Sequence, residues 1–239
     1  MKYIFLVAGK GTRLRPLTLD NPKSMYMLDE NTTVLQRMVL LIRKHDEKAD
    51  IIIVTGHKHK AIERQIDGVR FIFNPFYEVT NSIASLWFAK DELCKDEVVI
   101  IDGDIVMSEQ LVEEVVCVSI DRPMVLLDSS IKADGDYNVE VSGEQVLVMS
   151  KELNNYYGEY AGVTKLDIRS SKIVCDEMER MIEAGFYDQW YENILVQLIF
   201  KSDFKLYYKD VTNYDWTEVD SVNDLLVAKH IHLKERKNV

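Results

Sequence analysis

The sequence predicts an α/β domain: a Rossmann-like, mostly parallel, doubly wound sheet with a small antiparallel insertion in its second half. Three observations carry this. Apolar runs of strand length alternate with amphipathic segments of helical period through residues 2–101, and the runs are apolar at successive positions, as strands covered on both faces require. Two of the runs lead directly into glycine turns, Gly9-Lys10-Gly11 and Asp102-Gly103-Asp104. In such a sheet ligands sit beyond the carboxyl ends of the strands, which is where both turns fall.

The first strand, Lys2–Val7, is the run Tyr3, Ile4, Phe5, Leu6, Val7, and it stops at Ala8 and Gly9. A helix follows from about Thr33, with Val34, Leu35, Met38, Leu41 and Ile42 on one stripe. The β-branched residues Ile51, Ile52, Ile53 and Val54 make a strand over 50–55; a helix is expected near 59–66 and a strand over 69–73, ending at Asn74 and Pro75. Thr80 or Asn81 caps a helix over 81–93, and a strand over 97–101 runs into Asp102. After Arg122 the pattern changes to short strands at 124–128, 137–141, 145–150 and 161–167, the middle two joined by a turn at Ser142-Gly143-Glu144. Residues 123–167 are thus expected to form an insertion that closes over the sheet edge. Helices over 170–184 and 188–201, parted by Gly185, precede a strand at 205–209 and a terminal helix from Ser221. No repeat or linker divides the chain, so residues 1–239 read as one domain.

Composition narrows the function. With 239 residues, 47% hydrophobic and 29% charged, one core suffices without disulfides or structural metal. Cys94, Cys117 and Cys175 are odd in number and widely spaced, as reduced thiols in the cytoplasm would be. No apolar run approaches the roughly 18 residues of a membrane span, and the apolar start is unlike a signal peptide. The net charge of -11 repels nucleic acid and anionic membranes, so an anionic substrate must be captured locally. Lys10, Arg13, Arg15 and Lys23 stand against Asp20 alone in residues 10–23, a positive island in an acidic protein.

That island contains the first motif. Glycines after a strand let backbone N–H groups approach an anion, so Gly9-Lys10-Gly11-Thr12-Arg13 reads as a phosphate cradle or, equally, as an ordinary strand-to-helix turn. It is neither a dinucleotide fingerprint, which wants a small residue where Leu14 stands, nor a P-loop. Arg13 and Lys23 suit a triphosphate, one as a planar fork and the other as a point charge. The second motif, Asp102-Gly103-Asp104, offers hard oxygen ligands suited to Mg²⁺ shared with phosphates, or a polar turn closing a strand. Asp220, before the last helix, reads alone as an acid at a helix start.

The string Leu6-Val7-Ala8-Gly9-Lys10-Gly11-Thr12-Arg13-Leu14-Arg15-Pro16-Leu17-Thr18, followed by Asn21-Pro22-Lys23, resembles the signature of the sugar-nucleotidyltransferase-like family. Val7 for the usual alanine is the one departure. The resemblance implies the nucleotidyltransferase fold and attack of a phosphate monoester on the α-phosphorus of a nucleoside triphosphate, with pyrophosphate leaving. It implies that Ala8, Gly9, Gly11 and Thr12 support the nucleotide, that Arg13 holds its phosphates and that Lys23 stabilises the reacting phosphate. It also ties Asp104 and Asp220 together as Mg²⁺ ligands, with Asp102 as a supporting carboxylate. The five histidines are scattered and receive no chemistry.

Asn74-Pro75, Tyr77, Thr80-Asn81-Ser82 and Ser85-Leu86 resemble an element of bacterial phosphocholine cytidylyltransferases and their close relatives, which implies CTP and makes Asn81, Ser82 and Ser85 nucleotide-pocket residues. Read from the residues alone, these are a polar cap and an exposed helix face. For the second substrate, Asp188 and Glu192 are expected one turn apart on a helix beside Trp190 and Tyr191. Carboxylates next to aromatics suit an ammonium head group, as similar segments in those enzymes hold choline; an amphipathic helix with solvated acids is the alternative. Those enzymes bring a tryptophan strand to the choline, whereas Asp136-Tyr137-Asn138-Val139-Glu140 stands here. This stretch, with Lys151 and the segment around Glu159, looks more like relatives that handle aminoethylphosphonate, other phosphorylated amino compounds or alditol phosphates. Lys151 contacts the acceptor phosphate or is a surface residue after a strand. The expected activity is transfer of CMP from CTP to phosphocholine or such a relative; a sugar-1-phosphate nucleotidylyltransferase and a non-turning-over nucleotide-binding regulator are the rivals.

Overall fold

The structure is a computed structural model and describes residues 1–11, 21–130 and 137–236. Strands β1 (Lys2–Val7), β2 (Asp50–Thr55), β3 (Arg70–Phe73) and β4 (Val98–Asp102) form its parallel half in the order β3-β2-β1-β4. A short strand β5 (Ile105–Met107) leaves this sheet. The chain then gives β6 (Met124–Asp128), β7 (Asn138–Ser142), β8 (Gln145–Ser150), β9 (Gly158–Leu166), β10 (Tyr207–Asp210) and β11 (Trp216–Glu218). The large sheet continues past β4 as β9-β6-β10-β8-β7, while β5 and β11 make a separate antiparallel pair. β9 runs antiparallel to both β4 and β6, so the sheet is parallel over its first four strands and mixed beyond them.

The region 123–167 is therefore divided between two roles. β6 and β9 are interior strands of the large sheet, and the antiparallel extension is the β7–β8 hairpin, with β7 also pairing back onto the start of β9. Burial explains this: all but one of the residues of β9 are buried, which only a strand with neighbours and cover on both faces can satisfy. The hairpin turns at Gly143, whose φ of 59° lies in the left-handed region.

Alternate residues of each strand feed opposite cores. Tyr3, Phe5, Ile51, Ile53, Val99 and Ile101 pack with helix α1 (Val34–His45) and residues 111–116. Ile4, Ile52, Val54, Val98 and Ile100 face the other way. They meet helices α3 (Ser82–Phe88), α6 (Ile168–Glu183) and α7 (Glu192–Lys201); the short helices α2 (His59–Glu63), α4 (Lys90–Leu93) and α5 (Glu109–Leu111) complete the layers. Thr33 starts α1 with a capping box: its Oγ1 accepts from Gln36 N at 3.2 Å and Gln36 Oε1 accepts from Thr33 N at 2.9 Å. The last helix, α8 (Val222–Arg236), packs Ala228 and Ile231 over Leu28, Val34, Val106 and Val219. No helix among the described residues is long and apolar enough to cross a membrane.

Candidate active site

The carboxyl ends of β1 and β4 open into a cleft between the two turns singled out in the sequence. Gly103 makes this possible. A Cβ there would lie 2.1 Å from Val7 Cγ1 and 2.7 Å from Leu6 O, so only glycine lets the chain leave β4 pressed against β1. Its N–H donates to Leu6 O at 3.1 Å, and Asp102 and Asp104 flank it on the cleft wall.

One end of the cleft is acidic. Carboxylate oxygens of Asp104, Glu218 and Asp220 all lie within 4.8 Å of one another. Pairing of β5 with β11 sets Glu218 opposite Ile105, so two segments distant in sequence deliver their acids to one point. Lys23 follows Pro22 in a single 3-10 turn, and its Nζ lies 3.2 Å from Asp104 Oδ2 and also donates to Asp220 Oδ1. A set of three hard, anionic oxygens fits Mg²⁺, and the lysine beside them offsets part of their mutual repulsion. Asp102 differs from these acids. Burial, then the nearby charges of Glu192, Asp104 and Glu218, raise its carboxyl well above the usual range and favour its protonated form.

The other end is aromatic. Tyr137 and Trp190 meet edge to face with ring centroids 5.5 Å apart, and Tyr137 Oη donates to Asn193 Oδ1 at 2.8 Å. Tyr160 completes the wall, its hydroxyl hydrogen-bonded with Thr164 Oγ1 at 2.9 Å and with the hydroxyl of Tyr191. Lys151 reaches across from the end of β8 and sets its Nζ 3.7 Å from the centre of the Trp190 ring. Glu192, the first residue of α7, is buried beneath. Burial pushes its carboxyl up to about 7, against the lowering effects of a backbone hydrogen bond and of the Lys151 charge.

Between the two ends, Ala8, Gly9, Tyr77, Thr80, Asn81, Ser82 and Ser85 form a wall. Asn81 caps α3 through Oδ1, which accepts from Ser82 N at 2.8 Å. Ser82 Oγ accepts from Tyr191 N at 2.9 Å, and Ser85 Oγ accepts from the fully buried Asn74 at 3.1 Å, so these polar groups are fixed before any ligand arrives. Gly11 and Lys23 line the adjoining part of the cleft, together with Gly9, Gly103 and Asp104.

The structure thus gathers Ala8, Gly9, Gly11, Lys23, Asn81, Ser82, Ser85, Asp102, Asp104, Lys151, Trp190 and Glu192 on one cleft, with Asp220 joined to Asp104 through Lys23. Thr12 and Arg13 lie outside the described residues. Three positions depart from the sequence expectation. Asp188 is not on a helix with Glu192: α7 begins only at Glu192, and Asp188 sits exposed in the preceding turn, its Oδ1 accepting from Gln189 Nε2. Tyr191 is wholly buried in the core behind the cleft, and Glu159 lies in β9 opposite Asn138, away from the cleft lining. Glu218, Tyr137 and Tyr160 were not singled out from sequence. Glu218 and Asp220 are spaced by two in an extended segment, a spacing that puts both side chains on one face.

A cleft with an acid trio and a lysine, at the carboxyl edge of a half-parallel sheet, is the arrangement of a nucleotide-handling α/β enzyme. Residues 2–141, more than half of the chain, match the Nucleotidyl transferase family, and the chain belongs to it; it is a transferase of nucleotidyl groups. It is 26% identical to a choline-phosphate cytidylyltransferase of Streptococcus pneumoniae, over 94% of this chain and 95% of that protein. It is 23% identical to a CTP:phosphoglutamine cytidylyltransferase of Campylobacter jejuni, over 95% and 98% of the two chains. Among solved structures, the CTP:phosphocholine cytidylyltransferase of Streptococcus pneumoniae superposes with a TM-score of 0.74 at 23% identity, over 97% of this chain and 98% of that one. The inositol-1-phosphate CTP transferase of T. maritima gives a TM-score of 0.74 at 19% identity, over 96% and 95%.

Proposed function

We propose that the protein transfers CMP from CTP to a phosphate monoester with a cationic head, phosphocholine first among them, giving CDP-choline and pyrophosphate. The observation that supports this reading is the wall of Tyr137, Trp190 and Glu192 facing the same cleft as Lys23 and the acid trio. An aromatic face beside a carboxylate attracts an ammonium group. A phosphate tethered to that group by two carbons would lie toward the glycine turn.

In the reaction, an oxygen of the acceptor phosphate attacks the α-phosphorus, the new P–O bond forms in line, and the bond to the bridging α,β-oxygen breaks as pyrophosphate departs. The nucleophile needs no general base, since a phosphate monoester loses its second proton with a pKa of about 6. The difficulty is repulsion between anions, and the chain's residues meet it by position and charge. Lys23 holds its ammonium against the transferring phosphate, Arg13 braces the outgoing phosphates, and the backbone at Ala8 to Gly11 approaches the nucleotide closely. Mg²⁺ held by Asp104, Glu218 and Asp220 would supply charge neutralisation at the phosphates. Asn81, Ser82 and Ser85 orient the nucleotide, and Glu192 and Trp190 fix the acceptor's head.

The test is pyrophosphate release with Mg²⁺ across CTP, UTP, dTTP, GTP and ATP, each against phosphocholine, phosphoethanolamine, aminoethylphosphonate, glycerol phosphate and glucose-1-phosphate. Turnover confined to CTP with cationic acceptors is the expected outcome. Turnover with the hexose phosphate instead would remove the cation reading.

A further inference from the structure

The aromatic end of the cleft already carries a cation that belongs to the chain. Lys151 Nζ lies 3.7 Å from the centre of the Trp190 ring, and the same ammonium lowers the proton affinity of the Glu192 carboxyl. Lys151 is exposed, in the turn after β8, so it reaches this position from outside on a flexible stem. Trp190 and Glu192 are the groups assigned above to the head of the acceptor. One ring face at that distance accepts one cation, and two like charges cannot share it.

We propose that Lys151 is a tethered occupant of the acceptor's cation subsite: its ammonium holds the place on Trp190, beside Glu192, that the head of the acceptor takes, and it withdraws when the acceptor binds. The inference rests on the cationic-acceptor reading of the same site. Its physical basis is the cost of a buried carboxylate without a partner. Tyr137 and Tyr160 supply no positive charge to Glu192, and Asp102 is an acid. Without Lys151, the described residues around the subsite would leave Glu192 beside aromatic rings and a second acid. With Lys151 in place, the charge is met until a substrate cation replaces it. The exchange also selects. A neutral polyol phosphate has no group to put on Trp190 in place of Lys151, whereas a quaternary or primary ammonium has.

Choline itself, without a phosphate, isolates this step from any contact between Lys151 and the acceptor phosphate. Choline is titrated into the full chain and binding is followed by the indole N–H resonance of Trp190, assigned by its loss in Trp190→Phe. Lys151→Ala should bind choline about fivefold more tightly than the wild type, the effect of removing a competing cation from one partly exposed ring, and Lys151→Arg should bind no more tightly than the wild type. Because Lys151 is exposed, both variants should keep the wild-type amide spectrum away from the cleft. Equal or weaker choline binding by Lys151→Ala overturns the proposal while leaving the cationic subsite standing. No choline binding by either protein, with turnover of a sugar-1-phosphate intact, overturns the subsite and the placeholder together.

Discussion

Val219 donates its backbone N–H to the carbonyl oxygen of Asp104 at 3.0 Å. This bond prolongs the β5–β11 pairing by one step and clamps the acid that follows β4 to the acid that precedes α8. The relative position of Asp104 and Asp220 is therefore set by main chain rather than by their own side chains.

Asp104→Ala should consequently lower kcat by about three orders of magnitude or more, as loss of a metal ligand at a transferring phosphate does. The fold should persist, because the main-chain clamp remains and one of three mutually repelling charges is gone. Single-turnover kinetics and a thermal melt check both halves; a wild-type rate would remove Asp104 from the site. Glu218→Gln should act more mildly, raising the Mg²⁺ concentration needed for half-maximal rate while kcat at saturating Mg²⁺ changes less.

Glu192 and Asp188 should part company. Glu192→Gln should raise KM for a cationic acceptor by about tenfold, the cost of a lost charge partner, with KM for CTP little changed. Asp188→Asn, exposed and turned to Gln189, should leave both constants within about twofold, as surface substitutions do. Equal effects of the two would place the acceptor elsewhere.

The raised proton affinity of Glu192, with its carboxyl near 7, gives a pH dependence with a definite sign. Binding of a cation needs the carboxylate, so KM for the acceptor should rise as pH falls below about 7, and Glu192→Gln should flatten that limb. Stability runs the other way. The folded state holds this proton where the unfolded chain has released it, so the group costs stability as pH rises from the ordinary glutamate range through about 7. Glu192→Gln should therefore raise Tm more at pH 8 than at pH 5, which paired melts would show.

Gly103→Ala should be damaging out of proportion to its size. The added methyl would meet Val7 Cγ1 and Leu6 O well inside contact distance, an overpacking of about 1–3 kcal/mol. Relief by shifting the turn moves Asp102 and Asp104 together, so chemical denaturation and kcat should fall in the same variant. A loss of stability with full kcat would show that the acids do not depend on this turn.

The parallel half of the fold was legible because β1, β2 and β4 are apolar at successive positions, a pattern few other environments produce. The place of β9 was not. Its residues, with Glu159, Thr164 and Lys165 among small and apolar ones, do not spell a strand covered on both faces, and which strands flank it, and in which direction, is fixed by pairing over long sequence separations that no local pattern records. That Lys23 and Asp104 meet at the acidic end of the cleft could be read from the short strings around them. The aromatic end was legible only in part. Lys151, Trp190 and Glu192 do line the cleft. Asp188 looked helical from its spacing to Glu192, yet the backbone N–H groups of Asn81 and Ile83 donate to the carbonyls of Tyr187 and Gln189, tying this stretch to the start of α3 and delaying the helix to Glu192. The stretch around Tyr137 could be compared with the choline-binding strand of relatives, but that Tyr137 and Tyr160 meet on one wall could not be read, because they converge from the start of β7 and from β9.

The two ends of the cleft also come from different parts of the chain. The glycine turns, Lys23 and the β5–β11 pair form one end, and Tyr137, Lys151, Tyr160, Trp190 and Glu192 the other; in the proposed function the first carries the phosphorus chemistry and the second the recognition of the acceptor. Taste in substrates and competence in catalysis are thus separately adjustable. Exchanging the β7–β8 hairpin and the turn before α7 for those of a relative would redirect the enzyme to another acceptor with its reacting centre left as it is.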